Sequence, residues 1–334
     1  VITLAELDYE LPPERIAQAP MRPRDAARLL VVDREPPGLT GLLFSDLPAH
    51  LGKDDLLIVN DTRVIPAKLR GQKESGGRAE ALLLERRPDA TWLALVKCTG
   101  RLRPGLSLCF GPLRARLEAV QPDGTAVLCF ESDSCVSPDV LLQVTGEAPL
   151  PPYIRREEPS PQDLEDYQTV FAEVPGAVAA PTASLHFTPE LAARLPIAKV
   201  TLHIGPGTFR PLQEGSLEHH LLAPEVFDIP EATAIAISRA RSSGGRVIAV
   251  GTSVVRALET TGGEAGHGQS KLFIRPGHRF RVVDSLITNF HLPRSTLLLL
   301  VMAFAGADRI RQAYAHAIAE GFRFYSYGDA MWIR

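Results

Sequence analysis

The chain has no C-x-x-C pair, no H-E-x-x-H or H-x-x-x-H spacing, no phosphate loop and no G-x-S-x-G elbow. Each absence removes a class. The four cysteines, Cys98, Cys109, Cys129 and Cys135, crowd into one short region without metal-ligand spacing, so a structural zinc site is not expected and reduced thiols are. Long apolar runs are also missing. The longest, LLLLVMAFA from Leu297 to Ala305, falls short of the roughly 18–20 residues of a membrane span and reads as a buried core helix. The first residues, VITLAELDYELP, carry acids where a secretion signal needs bases, and a cytoplasmic location is expected. Charge of one sign is lacking too: the formal net charge is −3, which removes a bulk electrostatic case for nucleic acid but not one from local patches.

What is present is ordinary bulk and unusual islands. The 334 residues, 45% hydrophobic and 22% charged, suffice for a large core and two domains. Buried strands are expected at LLVVD (Leu29 to Asp33) and DLLIVN (Asp55 to Asn60), with a short helix at SDLPAHL. From Lys68 to Pro149 the texture changes to short alternating runs punctuated by Gly and Pro. That pattern predicts a small antiparallel barrel or sandwich, inserted between a first segment, 1–67, and a second, 150–334. The second segment alternates helix and strand: TPELAARL capped by Thr188, KVTLHI, PEATAIAISRARSSGG, RVIAVG, TSVVRALETT. The stretch KLFIRPGHRFRVVD reads as a hairpin turning at Pro276-Gly277, and TGGEAGHGQS as a mobile loop.

Polar islands close several of the apolar runs: APTASLHFT, TLHIGPGTF, TNFHLP and SYGDAM. Apolar strand followed by polar loop is how an α/β scaffold presents reactive groups at a sheet edge, so one composite pocket is expected. His186, His203 and His291 each sit beside Thr or Asn. A lone His between apolar neighbours is more often a hydrogen-bonded core group, yet three in this setting favour acid–base use. Gly251, Thr252 and Ser253 follow a strand and open a helix, which suits a carboxylate or phosphate; a plain N-cap is the equal alternative. Asp61, Arg63, Arg24, Asp25 and Asp329 flank apolar strands and are more often structural ion pairs. Ser184, two residues before His186, suggests a hydrolase only weakly, since no elbow is present. Basic spots at Arg155-Arg156, at Arg275 to Arg281 and at Arg15, Arg24 and Arg28 are read first as solvated faces. Trp92, Tyr153 and Tyr167 are candidates to stack on bases or simply to pack.

The runs DYELP-x-E-x-IAQ, LLIVNDTRVIPA, LPPYI, YQTVFA, VAAPTASLHFT, VTLHIGPGTF, RVIAVGT, RALE, FIRPG, VVDSLITNFHLPRSTLLLLV and FRFYSYGDAM together resemble the S-adenosylmethionine:tRNA ribosyltransferase-isomerases of queuosine synthesis, in order from Asp8 to Met331. The resemblance implies an α/β, barrel-like main domain carrying an inserted small antiparallel β-barrel. It implies that the ribosyl group of S-adenosylmethionine is transferred to the aminomethyl group of a 7-deazaguanine at the tRNA wobble position, giving epoxyqueuosine, adenine and methionine. S-adenosylmethionine is then a consumed substrate. No cofactor, no metal and no membrane are expected, and a monomer is. On this basis His186, His203 and Asp61 are the expected acid–base groups. Arg63, Thr182, Thr208, Asn289, His291 and Asp329 are expected to shape the substrate pocket, and Gly251, Thr252 and Ser253 to hold the methionine carboxylate. Three positions depart from the family pattern: Ser184 stands where Gly is usual, RDAAR replaces RDSSR, and Leu222 and Ala223 occupy a stretch that often holds a further His and Met. Two rivals remain, an RNA-binding protein without catalysis and an S-adenosylmethionine methyltransferase. The first predicts tRNA binding without adenine release, the second transfer of a labelled methyl group.

Overall fold

The fold was obtained as a computed structural model and describes residues 3–132, 136–205, 207, 212 and 222–334. The chain opens with β1 (Arg28–Asp33), β2 (Gly38–Leu43), β3 (Leu56–Asn60) and the short β4 (Thr62–Val64). Six strands follow: β5 (Lys68–Lys73), β6 (Arg78–Arg86), β7 (Trp92–Cys98), β8 (Ser107–Phe110), β9 (Leu113–Val120) and β10 (Ala126–Ser132). Then come α1 (Pro138–Thr145), α2 (Pro161–Asp166), β11 (Val174–Ala177), α3 (Pro189–Ala192), β12 (Ile197–Leu202) and β13 (Glu225–Ile229). The last part holds α4 (Glu231–Ser242), β14 (Val247–Val250), α5 (Thr252–Thr261), β15 (Gly266–Ser270), β16 (Ser285–Asn289), α6 (Thr296–Ala305), α7 (Ala307–Ala319) and β17 (Ala330–Ile333).

Among the described residues nine strands form one mixed sheet in the order β15-β13-β12-β3-β14-β16-β17-β1-β2. Its centre, β12-β3-β14-β16, is parallel throughout. The strands β3, β14 and β16 are buried along their whole length. That is why LLIVN and VIAV read as unbroken apolar runs rather than alternating ones: helices and loops cover both faces of a parallel sheet. Parallel strands end on the same edge, so Asn60, Leu202, Val250 and Asn289 come out side by side. The antiparallel pairing of β16 with β17 brings Asn289 opposite Ala330, which delivers the start of β17 to that edge as well.

The strands β5 to β10 close on themselves in the order β10-β7-β6-β5-β8-β9. Alternation is clean where it matters, as in the buried-exposed repeat of β9, because one face fills the barrel and the other meets water. Entry and exit are stitched together: Lys68 and Glu147 exchange backbone hydrogen bonds of 3.2 and 2.8 Å, and Arg70 pairs with Glu147 at 3.1 Å. Cys98, Cys109 and Cys129, all on barrel strands, are free thiols, and Cys135 lies outside the described residues.

Two local expectations fail. Residues around Pro276-Gly277 form no hairpin; the chain there is held by the Glu259 carboxylate, which accepts the N–H groups of Arg281, Val282 and Val283. The Gly-rich TGGEAGHGQS is not simply a loop. Its second half is β15, the sheet's edge strand, paired antiparallel with β13. Glycine-rich composition hid a strand that backbone pairing alone sustains. The apolar run at Leu297 lies in α6, ten residues long and largely buried. Among the described residues no helix is long and apolar enough to cross a membrane.

Barrel closure makes a test. A Cβ on Gly71 would lie 2.0 Å from the Cys109 carbonyl oxygen across the β5–β8 seam. Gly71→Ala should therefore destabilise the barrel by about 1–3 kcal/mol. The two tryptophans separate the units, Trp92 on β7 and Trp332 on β17. Denaturant unfolding followed at Trp92 in a Trp332→Phe background should shift to lower denaturant; an unmoved midpoint would show that the seam has slack.

Candidate active site

A cleft opens at the edge where the parallel strands end. Its volume is about 60 Å3. Thr182, Gly251, Thr252, Ser253, Asn289 and His291 line it, and they come from three separate stretches of the chain. Asn60 fastens the edge. Its Nδ2 donates to the Leu202 carbonyl (2.9 Å) and Ser253 Oγ (3.2 Å), while its Oδ1 accepts the N–H groups of Leu202 (3.1 Å) and Thr62 (3.1 Å). A buried amide has two donors and two acceptor positions, and here all four are used.

The first wall is the start of α5. Gly251 sits at φ 100°, a conformation that strains any residue with a Cβ, and its N–H reaches the Ile287 carbonyl at 2.8 Å. No side chain caps the helix. Its first-turn N–H groups and positive dipole end therefore face the cleft unclaimed. Ser253 Oγ already accepts from Asn60, so its own proton is free to donate to a ligand.

The second wall follows β16. Asn289 Nδ2 donates to the Tyr325 carbonyl at 3.1 Å and lies 3.4 Å from the Ser326 carbonyl and 3.3 Å from His186 Nε2. Two carbonyls at Nδ2 fix the orientation of the amide, because the flipped form would set oxygen against oxygen. Asn289 Oδ1 then has no partner although it is buried. A buried acceptor without a donor is costly, which marks it as a position for a ligand N–H. Next to it, His291 Nε2 lies 2.8 Å from Thr288 Oγ1, and the His291 backbone N–H donates to Tyr314 OH at 2.8 Å. Burial lowers the His291 pKa to about 3. His186 falls to about 3 as well, through burial first and then the positive charges of Arg323 and Arg24. Both rings are neutral at physiological pH.

Several lining residues were not picked out as site residues from the sequence. Tyr153 and Tyr325 pack with ring centroids 4.8 Å apart, and Tyr153 OH lies 2.7 Å from Ser326 Oγ. Glu225 and Arg256 form a buried ion pair in the same cleft. The signal for Arg256 was present: it stands alone among Val254, Val255, Ala257 and Leu258, all buried. An arginine in the middle of an apolar run needs a partner.

Other expected site residues lie off this wall. His186 is one layer back, in the 3-10 turn Thr182–His186 rather than at a strand end, and touches the cleft through Asn289. His203 leaves β12 on the face opposite Ile204, which does line the cleft. Its Nδ1 is 2.7 Å from Thr62 Oγ1, and its ring covers Gly176 so closely that a Cβ there would come within 2.8 Å. Burial lowers its pKa. Asp61 is buried and accepts from Thr201 Oγ1 at 2.6 Å, and its pKa is raised by that burial. Arg63 is exposed on β4. Asp329 spends its carboxylate on the N–H groups of Arg28 (3.1 Å) and Arg323 (2.8 Å) and on the Arg323 guanidinium (3.3 Å), outside the cleft. Thr208 lies outside the described residues. Of the basic spots, Arg24 donates to four backbone carbonyls, Arg28 covers the Phe322 ring and Arg156 pairs with Asp163. Among the described residues no group of three or more His, Cys, Asp or Glu is placed to hold a metal ion.

Comparison with known proteins bears on the whole chain. A family model described as "Queuosine biosynthesis protein" matches residues 4–333. A protein of Moorella thermoacetica is 48% identical over 344 residues, covering 99% of both chains, and one of Acidiphilium cryptum is 50% identical over 345, covering 98% of both. Each is named S-adenosylmethionine:tRNA ribosyltransferase-isomerase. The crystal structure of the Thermotoga maritima S-adenosylmethionine tRNA ribosyltransferase superposes with a TM-score of 0.55 at 35% identity, covering 98% of this chain and 100% of that one.

The neutral histidines predict an acid response. An unfolded chain takes up a proton on each ring below about pH 6.5, while the folded chain does not until about pH 3. The stability they contribute is therefore complete above pH 6.5 and is lost as pH falls. The slope approaches about 1.4 kcal/mol per pH unit per ring once the pH is well below 6.5. Between pH 6.5 and 5 each ring should account for up to about 2 kcal/mol. Melting curves over that interval should flatten by about one proton in His291→Gln. An identical slope would show that His291 is not held neutral.

Proposed function

The chain belongs to the queuosine biosynthesis protein family, and from that membership we infer that it works as an S-adenosylmethionine:tRNA ribosyltransferase-isomerase. It modifies tRNA in queuosine biosynthesis, moving and isomerising the ribosyl group of S-adenosylmethionine onto a 7-aminomethyl-7-deazaguanine and releasing adenine and methionine. The observation that carries the reading to this chain's own residues is the convergence of separate strand ends on one cleft lined by polar groups.

The chemistry asks for little beyond placement. The sulfonium acidifies the neighbouring ribose 5′-carbon, so one positioned base can begin the reaction. Adenine leaves, the acceptor amine attacks in its neutral form, and an epoxide closes as methionine departs. We assign Thr182, Thr252 and Ser253 to donor binding. Asn289 Oδ1 takes an N–H of a reacting base, adenine or the aminomethyl group. His291 and Thr288 form a neutral hydrogen-bonding wall, since a ring that stays unprotonated down to about pH 3 is too weak a base to lead. His186 positions Asn289. His203, half-buried and held through Nδ1 by Thr62, faces away from this cleft, and we assign it with Asp61 and Arg63 to contact with the tRNA rather than to the donor. The acceptor is the wobble base of the tRNA, the enzyme acts as a cytoplasmic monomer, and no resident cofactor takes part.

The test is adenine release from S-adenosylmethionine. Release should require tRNA bearing the aminomethyl base; transfer of a labelled methyl group, or tRNA binding without adenine, would overturn the reading. His203→Ala should lower the rate by about 10-fold, through the tRNA contact it removes. Asn289→Ala should lower it by about 10–100-fold, the worth of a hydrogen bond to a polar or charged partner. Near wild-type rates in both His203→Ala and His186→Ala would remove the histidines from the mechanism.

A further inference from the structure

Arg256 is buried, 7% exposed, and so is its partner Glu225 at 8%. Each of the guanidinium's three nitrogens can be followed. Nε donates to the Leu272 carbonyl at 3.2 Å, Nη1 is bound to Glu225 Oε2, and Nη2 has no partner at all. Glu225 is itself held, since Oε1 accepts the Gly205 N–H at 3.0 Å. Arg256 lines the cleft together with Gly251, Thr252 and Ser253, the uncapped start of its own helix α5.

A structural ion pair would use its guanidinium fully. Burying a cationic N–H without an acceptor is unfavourable, and nothing in the packing forces it on a side chain already fixed by two other bonds. The free Nη2 and the helix start both select the same thing, a small anion. A guanidinium nitrogen without an acceptor and uncapped backbone N–H groups line one cleft, and both are donors that suit a carboxylate. We propose that Arg256 binds the α-carboxylate of the methionyl end of S-adenosylmethionine through Nη2, with the first turn of α5 as the second donor and Glu225 as the positioning residue that fixes the guanidinium plane. The proposal rests on the donor named above and adds the residue that reads its amino-acid end.

The assignment separates S-adenosylmethionine from donors without that carboxylate. Calorimetric titration of the full-length wild-type chain with S-adenosylmethionine and with decarboxylated S-adenosylmethionine should show the second binding about 10- to 100-fold more weakly. In Arg256→Gln the affinity for S-adenosylmethionine should fall to the level of the decarboxylated donor, whose own affinity should stay within about twofold. The wild-type comparison needs no variant and so stands even if Arg256→Gln fails to fold. Equal wild-type affinity for the two donors overturns the proposal, and so does a variant that weakens both alike, which is the signature of a purely structural arginine. A wild-type chain that releases adenine yet ignores the carboxylate would remove this inference and leave the function intact. A chain that neither binds S-adenosylmethionine nor releases adenine would remove both.

Discussion

Four apolar clusters make up the packed interior of the described residues, and they meet at one short stretch. Val178 belongs to the barrel core, Ala179 to the core on one face of the large sheet, Ala183 to the core on its other face and Ala180 to the small cluster around Tyr167 and Tyr327. A segment that serves four cores within six residues has no room for large side chains. That is the physical meaning of VAAPTA: small residues where walls converge, and a proline that fixes the chain's direction before the turn Thr182–His186. The same residues form part of the cleft. Packing at this junction therefore sets the position of Thr182, and through His186 that of Asn289.

The electrostatics of the cleft follow from the same burial. A sulfonium donor is a cation, and a site rich in histidine would repel it if the rings were charged. Desolvation holds His186 and His291 neutral across the physiological range. Positive potential is left in one place only within the described wall, where Arg256 and the start of α5 stand together. The cleft thus has a neutral polar part, fitted to a base and a sugar, and an end rich in hydrogen-bond donors, fitted to a carboxylate. Glu225 balances the charge of Arg256 within the protein, so the empty cleft carries no buried net charge to destabilise the fold.

Much of this was legible in the sequence, and the reasons are specific. Polar islands at the ends of apolar runs meet because parallel strands all finish on one edge, so DLLIVN, RVIAVG and SLITN already implied that their last residues are neighbours. The inserted barrel showed in alternation and in Gly-Pro punctuation. What stayed hidden depended on contacts that period and composition do not encode. The edge strand β15 is made of GHGQS, which has no strand propensity, and exists because β13 offers it a ladder. Strand alternation puts His203 and Ile204 on opposite faces, so a histidine next to a cleft-lining residue points elsewhere. Asp329 looked like a site residue because it lies in the polar island SYGDAM, yet three donors from Arg28 and Arg323 consume its carboxylate.

Ser184, where the sequence resemblance leads one to expect glycine, can be judged on the same terms. Ser184 is fully buried and its hydroxyl has no partner. An isolated buried hydroxyl weakens a fold by an amount of order 1 kcal/mol or more, yet it does so here one layer behind the cleft wall. A glycine at that point would spare the hydroxyl but loosen the turn Thr182–His186, on which the placement of both Thr182 and His186 depends. Serine keeps the turn stiff at some cost in stability. The position is thus one where global stability and local rigidity pull in opposite directions, and this chain has settled on rigidity beneath its site.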